Sequence, residues 1–176
     1  KKCDTIKFIT VLPQNVNKTI ESDVFPDQKG VETIYNDKLT LLQPFGLYNE
    51  DYSKLTDKMY LTLIEIYKNQ MKDYDWFLKA DDDTYIYMEN LKSFLSNYNS
   101  SNATYFGYCY TNNIMGGAGY VLSRASMEKI GKHLSHNITA CKNTGIEDED
   151  ISRCLTDLGI YPTNSVDDLG RERFHL

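Results

Sequence analysis

Apolar side chains recur at steps of three and four residues between about Ser53 and Lys72, which is typical of a helix with one face on the core. The positions that share this face are Tyr60, Leu63, Ile64, Tyr67 and Met71. Residues 75–80 then read DWFLKA, with three large apolar residues in succession. Such a run is typical of a strand that is covered on both sides. We therefore predict a helix over 53–72 and a strand over 75–80.

The rest of the chain continues this alternation of strand and helix patterns, around an expected loop at 13–30. Further strands are predicted at 5–12, near 31–34, in the LTLLQPFG stretch before Tyr48, and at 104–109. Further helices are predicted at 88–97, 123–133 and 147–158. This alternation predicts an α/β fold with a mainly parallel sheet and helices on both faces. The 176 residues suffice for one domain, over 1–176.

The negative charge is concentrated in two short stretches. The net charge is −6, and the seven acids of the two stretches more than account for it: Asp81, Asp82, Asp83, Glu147, Asp148, Glu149 and Asp150. The remainder of the chain is close to neutral. This distribution argues against a basic nucleic-acid-binding face, so we expect no nucleic-acid partner.

The cysteines and sequons indicate a secretory protein. Four N-glycosylation sequons begin at Asn17, Asn99, Asn102 and Asn137. The four cysteines (Cys3, Cys109, Cys141 and Cys154) have no CxxC spacing, so disulfides in an oxidising compartment fit them better than a zinc site. No apolar stretch reaches the roughly 20 residues that span a bilayer, and no signal peptide opens the chain. We expect membrane attachment only through an anchor absent from this chain.

The first acidic stretch directly follows the predicted strand DWFLKA. On an extended chain, residues two apart point the same way, so Asp81 and Asp83 would face one site about 7 Å apart, and Asp82 would face elsewhere. Two such oxygen donors can hold one divalent cation if a ligand such as a diphosphate completes the shell. The alternative is a solvated acidic turn that caps the following helix. An EF-hand calcium loop is excluded, because no Gly and no Glu occupy the positions that such a loop requires.

The second acidic stretch and a glycine-rich segment each have two interpretations. Asp148 falls in the first turn of the last predicted helix, where the helix dipole favours any carboxylate, catalytic or not. Gly116, Gly117 and Gly119 lack the ending of a phosphate loop; they could admit a sugar ring close to the backbone or form a tight turn into a strand. Tyrosine rings that could stack on a sugar are Tyr85, Tyr87 and Tyr120.

Three motifs, DWFLKADDDTY, GGAGYVLS and IED followed by RC, resemble those of the β1,3-glycosyltransferases that use a nucleotide sugar and a DxD motif. The chain is most similar to the core 1 β1,3-galactosyltransferases, which add galactose to GalNAc on Ser or Thr of glycoproteins. The similarity runs from about Lys54 to the end and is weak before that. It implies a GT-A-type nucleotide-sugar-binding fold and an inverting, metal-dependent transfer from UDP-galactose.

The resemblance also implies roles for individual residues. Asp83 would bind Mn²⁺ directly, and Asp81 would bind the nucleotide ribose or the metal through water. Lys79 and Asp82 would complete the donor side. Asp148 would be the base that takes the acceptor proton. The acceptor side would further include Gly116, Gly117 and Glu147.

The resemblance also implies a disulfide between Cys141 and Cys154, as in the family. This disulfide would stabilise the fold by about 3 kcal/mol through the loop that it closes. A bond between Cys3 and Cys109 stays open. The implied setting is the Golgi lumen, as a type II membrane protein in full length, with a glycoprotein or glycopeptide acceptor that bears GalNAc. Homodimerisation is compatible with the resemblance.

The chain departs from the family's pattern in three respects. The family's first strand and the segment with its metal-binding histidine are missing, so we expect the domain to be incomplete at both ends and the fragment to be poorly active. Met115 replaces a small polar residue, and Glu149 and Asp150 replace apolar ones. Two alternatives therefore stay open: a Fringe-like β1,3-N-acetylglucosaminyltransferase, and a non-catalytic chaperone or glycan-binding relative. The intact DxD argues against the second.

Overall fold

The structure is a computed structural model that describes residues 5–10, 31–35, 39–49, 51–110 and 113–175. Its strands are β1 (Phe8–Ile9), β2 (Val31–Tyr35), β3 (Leu39–Gln43), β4 (Trp76–Lys79), β5 (Tyr105–Gly107), β6 (Cys109–Tyr110), β7 (Asn113–Ile114) and β8 (Tyr120–Ser123). Its α-helices are α1 (Leu55–Asn69), α2 (Met88–Leu95), α3 (Arg124–His136) and α4 (Glu147–Asp157). The described elements confirm a mixed α/β fold. The loop expected at 13–30 and the end of the strand expected at 5–12 lie outside the described residues.

The prediction of a mainly parallel sheet is wrong for the described strands. Strands β4, β8 and β5 form one sheet in that order, and β8 is antiparallel to both neighbours. In the second sheet, of order β1, β3, β2, only the β1–β3 pair is parallel. The crossover through α2 does give β4 and β5 the same direction. However, the described residues between β5 and β8 contain no α-helix, and β8 returns antiparallel and is inserted between β4 and β5.

The sheet β4-β8-β5 carries helices on both faces, as predicted. On one face, Tyr105, Tyr120 and Leu122 pack in a buried cluster with apolar residues of α1, α3 and α4. On the other face, Phe106 and Val121 pack with residues of α2 and with Phe174. This division follows from the pleat, because successive side chains of a strand point to opposite faces.

The edge strand β4 is less covered than the sequence predicted. Leu78 is exposed, and Trp76 and Phe77 are only half-buried. The apolar run alone does not show whether a strand lies inside a sheet or at its edge, since both positions accept large side chains. Among the described strands, β4 pairs on one side only.

On the larger face, close packing brings α1 and α3 together, and a disulfide fixes the segment before α4. A Cβ at Gly131 of α3 would lie 2.4 Å from the Cβ of Tyr67 in α1, so glycine allows these helices to approach. Ser123 caps α3, as predicted, by accepting a hydrogen bond from the Ser126 N–H. The disulfide between Cys141 and Cys154 confirms the expected pairing and ties the segment before α4 to that helix.

Candidate functional site

The first acidic stretch forms a turn, so the expected extended geometry is wrong. Strand β4 ends at Lys79, and the Thr84 N–H donates to the Asp81 carbonyl at 3.1 Å. This bond closes a β-turn with Asp82 and Asp83 at its centre. The two-residue alternation of a strand therefore does not set the directions of Asp81 and Asp83. All three aspartates are exposed. This exposure fits a turn that binds a ligand and equally a turn that is only solvated.

The acidic turn is anchored to the glycine-rich segment by Thr84. The Thr84 hydroxyl accepts from the Asp81 N–H at 3.1 Å and donates to the Gly117 carbonyl at 3.0 Å. A single side chain thus joins the loop that follows β4 to the loop that precedes β8.

The donor set of the acidic turn fits only part of a metal site. Within the described ranges, no group of three or more His, Cys, Asp or Glu side chains is placed to hold a metal ion. Asp81 and Asp83 offer the hard carboxylate oxygens that Mn²⁺ or Mg²⁺ accept. The Asp81 Oδ1 atom already lies 2.7 Å from the Lys79 ammonium. These residues could therefore supply two of the ligands of a divalent cation, and a bound diphosphate would have to supply others.

The glycine-rich segment forms the predicted turn into a strand. Gly116–Ala118 is a single 3₁₀ turn, and Gly119 has a φ of 73° before β8 begins. The close approach at Gly116 is to the protein itself, because a Cβ there would lie 3.1 Å from the Asp148 Cβ. Gly116 is buried and Gly117 is exposed. Of these two predicted acceptor residues, only Gly117 offers open backbone.

Asp148 lies in the first turn of α4, as predicted, and its carboxylate is fixed by the backbone. The Gly116 N–H donates to Oδ2 at 2.8 Å, and the Glu149 N–H donates to Oδ1 at 2.9 Å. The helix dipole adds favourable positive potential at this position. The side chain is only half-buried, so its remaining lone pairs can reach a molecule outside the protein.

Glu147, the neighbour of Asp148, is mostly buried and fully engaged. Its Oε1 accepts a 2.6 Å hydrogen bond from the Tyr120 hydroxyl, and its Oε2 lies 3.5 Å from the Lys79 ammonium. Burial raises the pKa of Glu147, although Lys79 and Tyr120 act in the opposite direction. Burial also raises the pKa of Tyr120 well above its ordinary value, with the Glu147 charge as the next cause. Tyr120 is completely buried, so of the three candidate tyrosines its ring is not available to stack on a sugar.

Lys79 brings the two acidic stretches into one site. Besides Asp81 and Glu147, it contacts the Gly116 carbonyl, to which it donates at 3.4 Å. Burial acts to lower the pKa of Lys79, but the carboxylates of Glu147 and Asp81 outweigh it and raise the pKa. The Lys79 ammonium also lies 5.8 Å from the centre of the Tyr120 ring. Asp81 and Glu147, which belong to different acidic stretches, thus share one cation.

Asp150 differs from the other acids of α4 because it is buried and structural. Its carboxylate accepts hydrogen bonds from the Thr56 hydroxyl and from the N–H and hydroxyl of Thr144, each at 2.8 Å. Arg153 adds a contact of 3.2 Å. These bonds join α1, the loop before α4 and α4 itself. The family resemblance marked Asp150 only as an acidic residue in place of an apolar one; the missed signal was Arg153, three residues later on the same helix.

The tyrosines of the loop after the acidic turn remain candidates for sugar contact. Tyr85 and Tyr87 are exposed, with ring centres 5.0 Å apart in an edge-to-face arrangement.

Cys109 is a free, exposed cysteine, and Cys3 lies outside the described residues. None of the helices in the described ranges is long and apolar enough to cross a lipid bilayer.

Known proteins resemble most of this chain. A family model described as Fringe-like matches residues 47–169. Glycoprotein-N-acetylgalactosamine 3-beta-galactosyltransferase 1 of Xenopus laevis is 37% identical over 129 residues, which are 68% of this chain and 35% of that protein. Chondroitin sulfate synthase 3 of Homo sapiens is 28% identical over 117 residues, 58% of this chain and 13% of that protein. The corresponding synthase of Mus musculus is 27% identical over 117 residues.

The chain therefore spans much less than half the length of the curated relatives it matches. The matched region includes both acidic stretches, the glycine-rich turn and Lys79. These similarities confirm the resemblance that the three motifs indicated.

Proposed function

Since this chain belongs to the Fringe-like family, we propose that the protein of which it is part is a UDP-sugar-dependent β1,3-glycosyltransferase with a GT-A-type fold. Its substrates in this proposal are UDP-galactose and a GalNAc residue O-linked to Ser or Thr of a glycoprotein. The reaction is an inverting transfer that requires Mn²⁺. The similarity to a galactosyltransferase from Xenopus supports the donor and the acceptor. The Golgi lumen is the compartment where such acceptors would be met.

One observation carries the proposal: Lys79 and Gly116 bring an exposed acidic turn next to a backbone-held carboxylate. Lys79 contacts Asp81 on one side and Glu147 on the other, and the Gly116 N–H holds Asp148. A donor-binding part and a base are the two parts that a sugar transfer needs. An acidic turn with no chemical role would not require this second, oriented carboxylate beside it.

On the donor side, Asp83 would ligate the metal directly, and Asp81 would act through water or on the ribose because Lys79 already neutralises it. When bound, the metal supplies positive charge that stabilises the diphosphate leaving group. Lys79 adds a second cation beside this group, which favours departure of the negatively charged UDP. Asp82 is exposed at the centre of the turn, where a donor molecule could reach it.

On the acceptor side, Asp148 would take the proton of the attacking hydroxyl. The Gly116 and Glu149 N–H groups each occupy one of its oxygens, so the carboxylate keeps a fixed orientation while a lone pair remains free. Attack on the anomeric carbon from the side opposite UDP inverts its configuration. General-base help of this kind contributes about 100- to 10,000-fold. Gly117 offers its exposed backbone to the acceptor sugar.

The donor half of the proposal is tested by calorimetry on the full-length protein with Mn²⁺ and UDP. We expect little uptake of Mn²⁺ alone, because two carboxylates form an open shell, and clear uptake in the presence of UDP. The Asp83→Ala variant should lose this uptake, whereas Glu89→Ala, an exposed acid in α2, should keep it. Equal binding by wild type and Asp83→Ala would contradict the assignment.

The choice of donor and acceptor needs a separate experiment, since the relatives include synthases named for chondroitin sulfate. A screen of UDP-galactose, UDP-GlcNAc and UDP-GalNAc against GalNAc-bearing and other glycopeptides should give the highest rate with UDP-galactose and GalNAc. A higher rate with UDP-GlcNAc would favour a Fringe-like N-acetylglucosaminyltransferase. Binding of glycans without transfer from any donor would favour a non-catalytic relative.

A further inference from the structure

A series of contacts runs from Tyr120 through Glu147 and Lys79 to Asp81, and the hydrogen bond of Tyr120 to Glu147 has no part in the steps described above. Tyr120 donates to Glu147 at 2.6 Å, Glu147 lies 3.5 Å from Lys79, and Lys79 lies 2.7 Å from Asp81. This series of contacts runs from the fully buried hydroxyl of Tyr120 to an exposed carboxylate of the acidic turn. It therefore connects the buried interior beneath α4 to the donor side of the proposed site.

Glu147 is poorly placed to bind an acceptor directly. Only 11% of its side chain is exposed, and each of its oxygens already faces a protein partner. A buried carboxylate of this kind keeps its place only while its partners remain, because an unpartnered buried charge is costly. The same contacts work in the other direction: the fixed carboxylate attracts the flexible Lys79 side chain to one position.

We propose that Tyr120 and Glu147 are positioning residues for the donor side of the site, acting through Lys79 on Asp81. Tyr120 orients the Glu147 carboxylate, Glu147 holds the Lys79 ammonium, and Lys79 holds the first aspartate of the acidic turn. The inference rests on the proposed function and reassigns Glu147 from acceptor binding to support of donor binding. Helix α4 thereby serves both halves of the site: Asp148 faces the acceptor, and Glu147 supports the donor residues.

Two tyrosines make a matched pair for testing this inference. Tyr105 and Tyr120 are both fully buried in the same apolar cluster and lie on neighbouring strands of one sheet. The Tyr105 hydroxyl makes no hydrogen bond of normal geometry with any described residue. Tyr105→Phe and Tyr120→Phe thus remove the same atom from similar surroundings, but only Tyr120→Phe removes a bond to Glu147.

The first measurement uses no ligand. In the full-length protein, the rate at which an N-hydroxysuccinimide ester acetylates Lys79 is followed by peptide mass spectrometry. We expect Tyr120→Phe and Glu147→Gln to raise this rate about three- to tenfold, the effect usual for one buried hydrogen bond, while Tyr105→Phe leaves it unchanged. Equal rates in wild type and Tyr120→Phe, with both proteins folded by circular dichroism, would overturn the inference.

The second measurement is the affinity of the same variants for UDP with Mn²⁺. We expect about three- to tenfold weaker binding in Tyr120→Phe and Glu147→Gln, with an unchanged KM for the acceptor. A raised acceptor KM with normal UDP binding in Glu147→Gln would overturn the inference and return Glu147 to the acceptor side. If the wild type binds no UDP with Mn²⁺, the proposed function fails and the donor-side role of Glu147 fails with it. The acetylation rates would then show separately whether Tyr120 holds Lys79.

Discussion

The two acidic stretches look alike in the sequence and differ completely in the structure. Asp81, Asp82 and Asp83 lie in an exposed turn, and among the described residues only Asp81 of the three has an ion-pair partner, Lys79. The four acids of the first turn of α4 instead range from the fully buried Asp150 to the partly exposed Glu149. The exposed turn keeps its oxygens available for a ligand. The helix start uses its carboxylates mainly to hold the protein together.

The difference teaches that a run of acids is not one functional unit. Glu147, Asp148 and Asp150 are neighbours in sequence, yet α4 directs them to three environments: a buried ion-pair network, a backbone-held position at the surface, and a buried structural site. Because successive helical residues are about 100° apart around the axis, Asp148 faces different neighbours from Glu147 and from Asp150. The predictions below separate these roles, from the largest expected effect to the smallest.

Replacement of Asp148 should have the largest effect. In Asp148→Asn, we expect the rate of sugar transfer by the full-length protein to fall by about 100- to 10,000-fold, because the base is lost. The fold should persist, since Asn can still accept from the Gly116 N–H. Glu149→Gln is the matched control on the same turn, and it should retain most of the activity. Similar small losses in both variants would favour a capping role for the whole turn.

Replacement of Asp150 should mainly affect stability. Asp150→Asn puts an amide among the hydroxyls of Thr56 and Thr144 and the Arg153 guanidinium, so acceptor bonds are lost inside the protein. We expect the free energy of unfolding, measured by urea titration, to fall by about 3 kcal/mol. A loss below about 0.5 kcal/mol would contradict the structural role of this carboxylate.

The raised pKa of Glu147 predicts a pH-dependent difference in stability. Below the ordinary pKa of 4.5, Glu147 is protonated in both the folded and the unfolded chain. As the pH rises above 4.5, the unfolded chain loses this proton first, so the wild type should lose stability relative to Glu147→Gln until the pH passes the folded-state pKa. Urea titrations of both proteins between pH 4 and 7 would measure this difference. A constant difference over that range would show that the pKa is not raised.

Removal of the glycosylation sites at the end of the sheet remote from Tyr120 should affect neither acidic stretch. Asn99 and Asn102 are exposed sequon asparagines, and the Asn102 carbonyl accepts from Ser123, at the end of β8 remote from Tyr120. We predict that both carry N-glycans in protein made through the secretory pathway, and that mass spectrometry shows one glycan fewer in each of Asn99→Gln and Asn102→Gln. Unfolding free energies should change by less than about 0.5 kcal/mol. Unmodified asparagines in protein purified from glycosylating cells would contradict the prediction.

Much of the fold follows from local patterns in the sequence. The three- and four-residue spacing of apolar residues such as Tyr60 and Leu63 predicted α1, because a helix at the surface of a core needs one buried face. Ser123 predicted the start of α3, because the first N–H groups of a helix need a capping acceptor. Strand directions were not predictable in this way. The antiparallel insertion of β8 depends on the connection between β5 and β8, whose described residues form a short hairpin and a single 3₁₀ turn but no α-helix.

In the candidate site, too, some features follow from the local sequence and others depend on packing. The sequence by itself determined which residues carry charge, where the glycine-rich turn lies, and that Asp148 begins a helix, since these depend on residue type and local spacing. Only the tertiary structure decided that Lys79 joins Asp81 to Glu147 and that Asp150 is buried with Thr56 and Thr144. The physical reason is that contacts between distant segments depend on how the sheet and helices pack. A carboxylate's role is set by the partners and the solvent that this packing leaves around it.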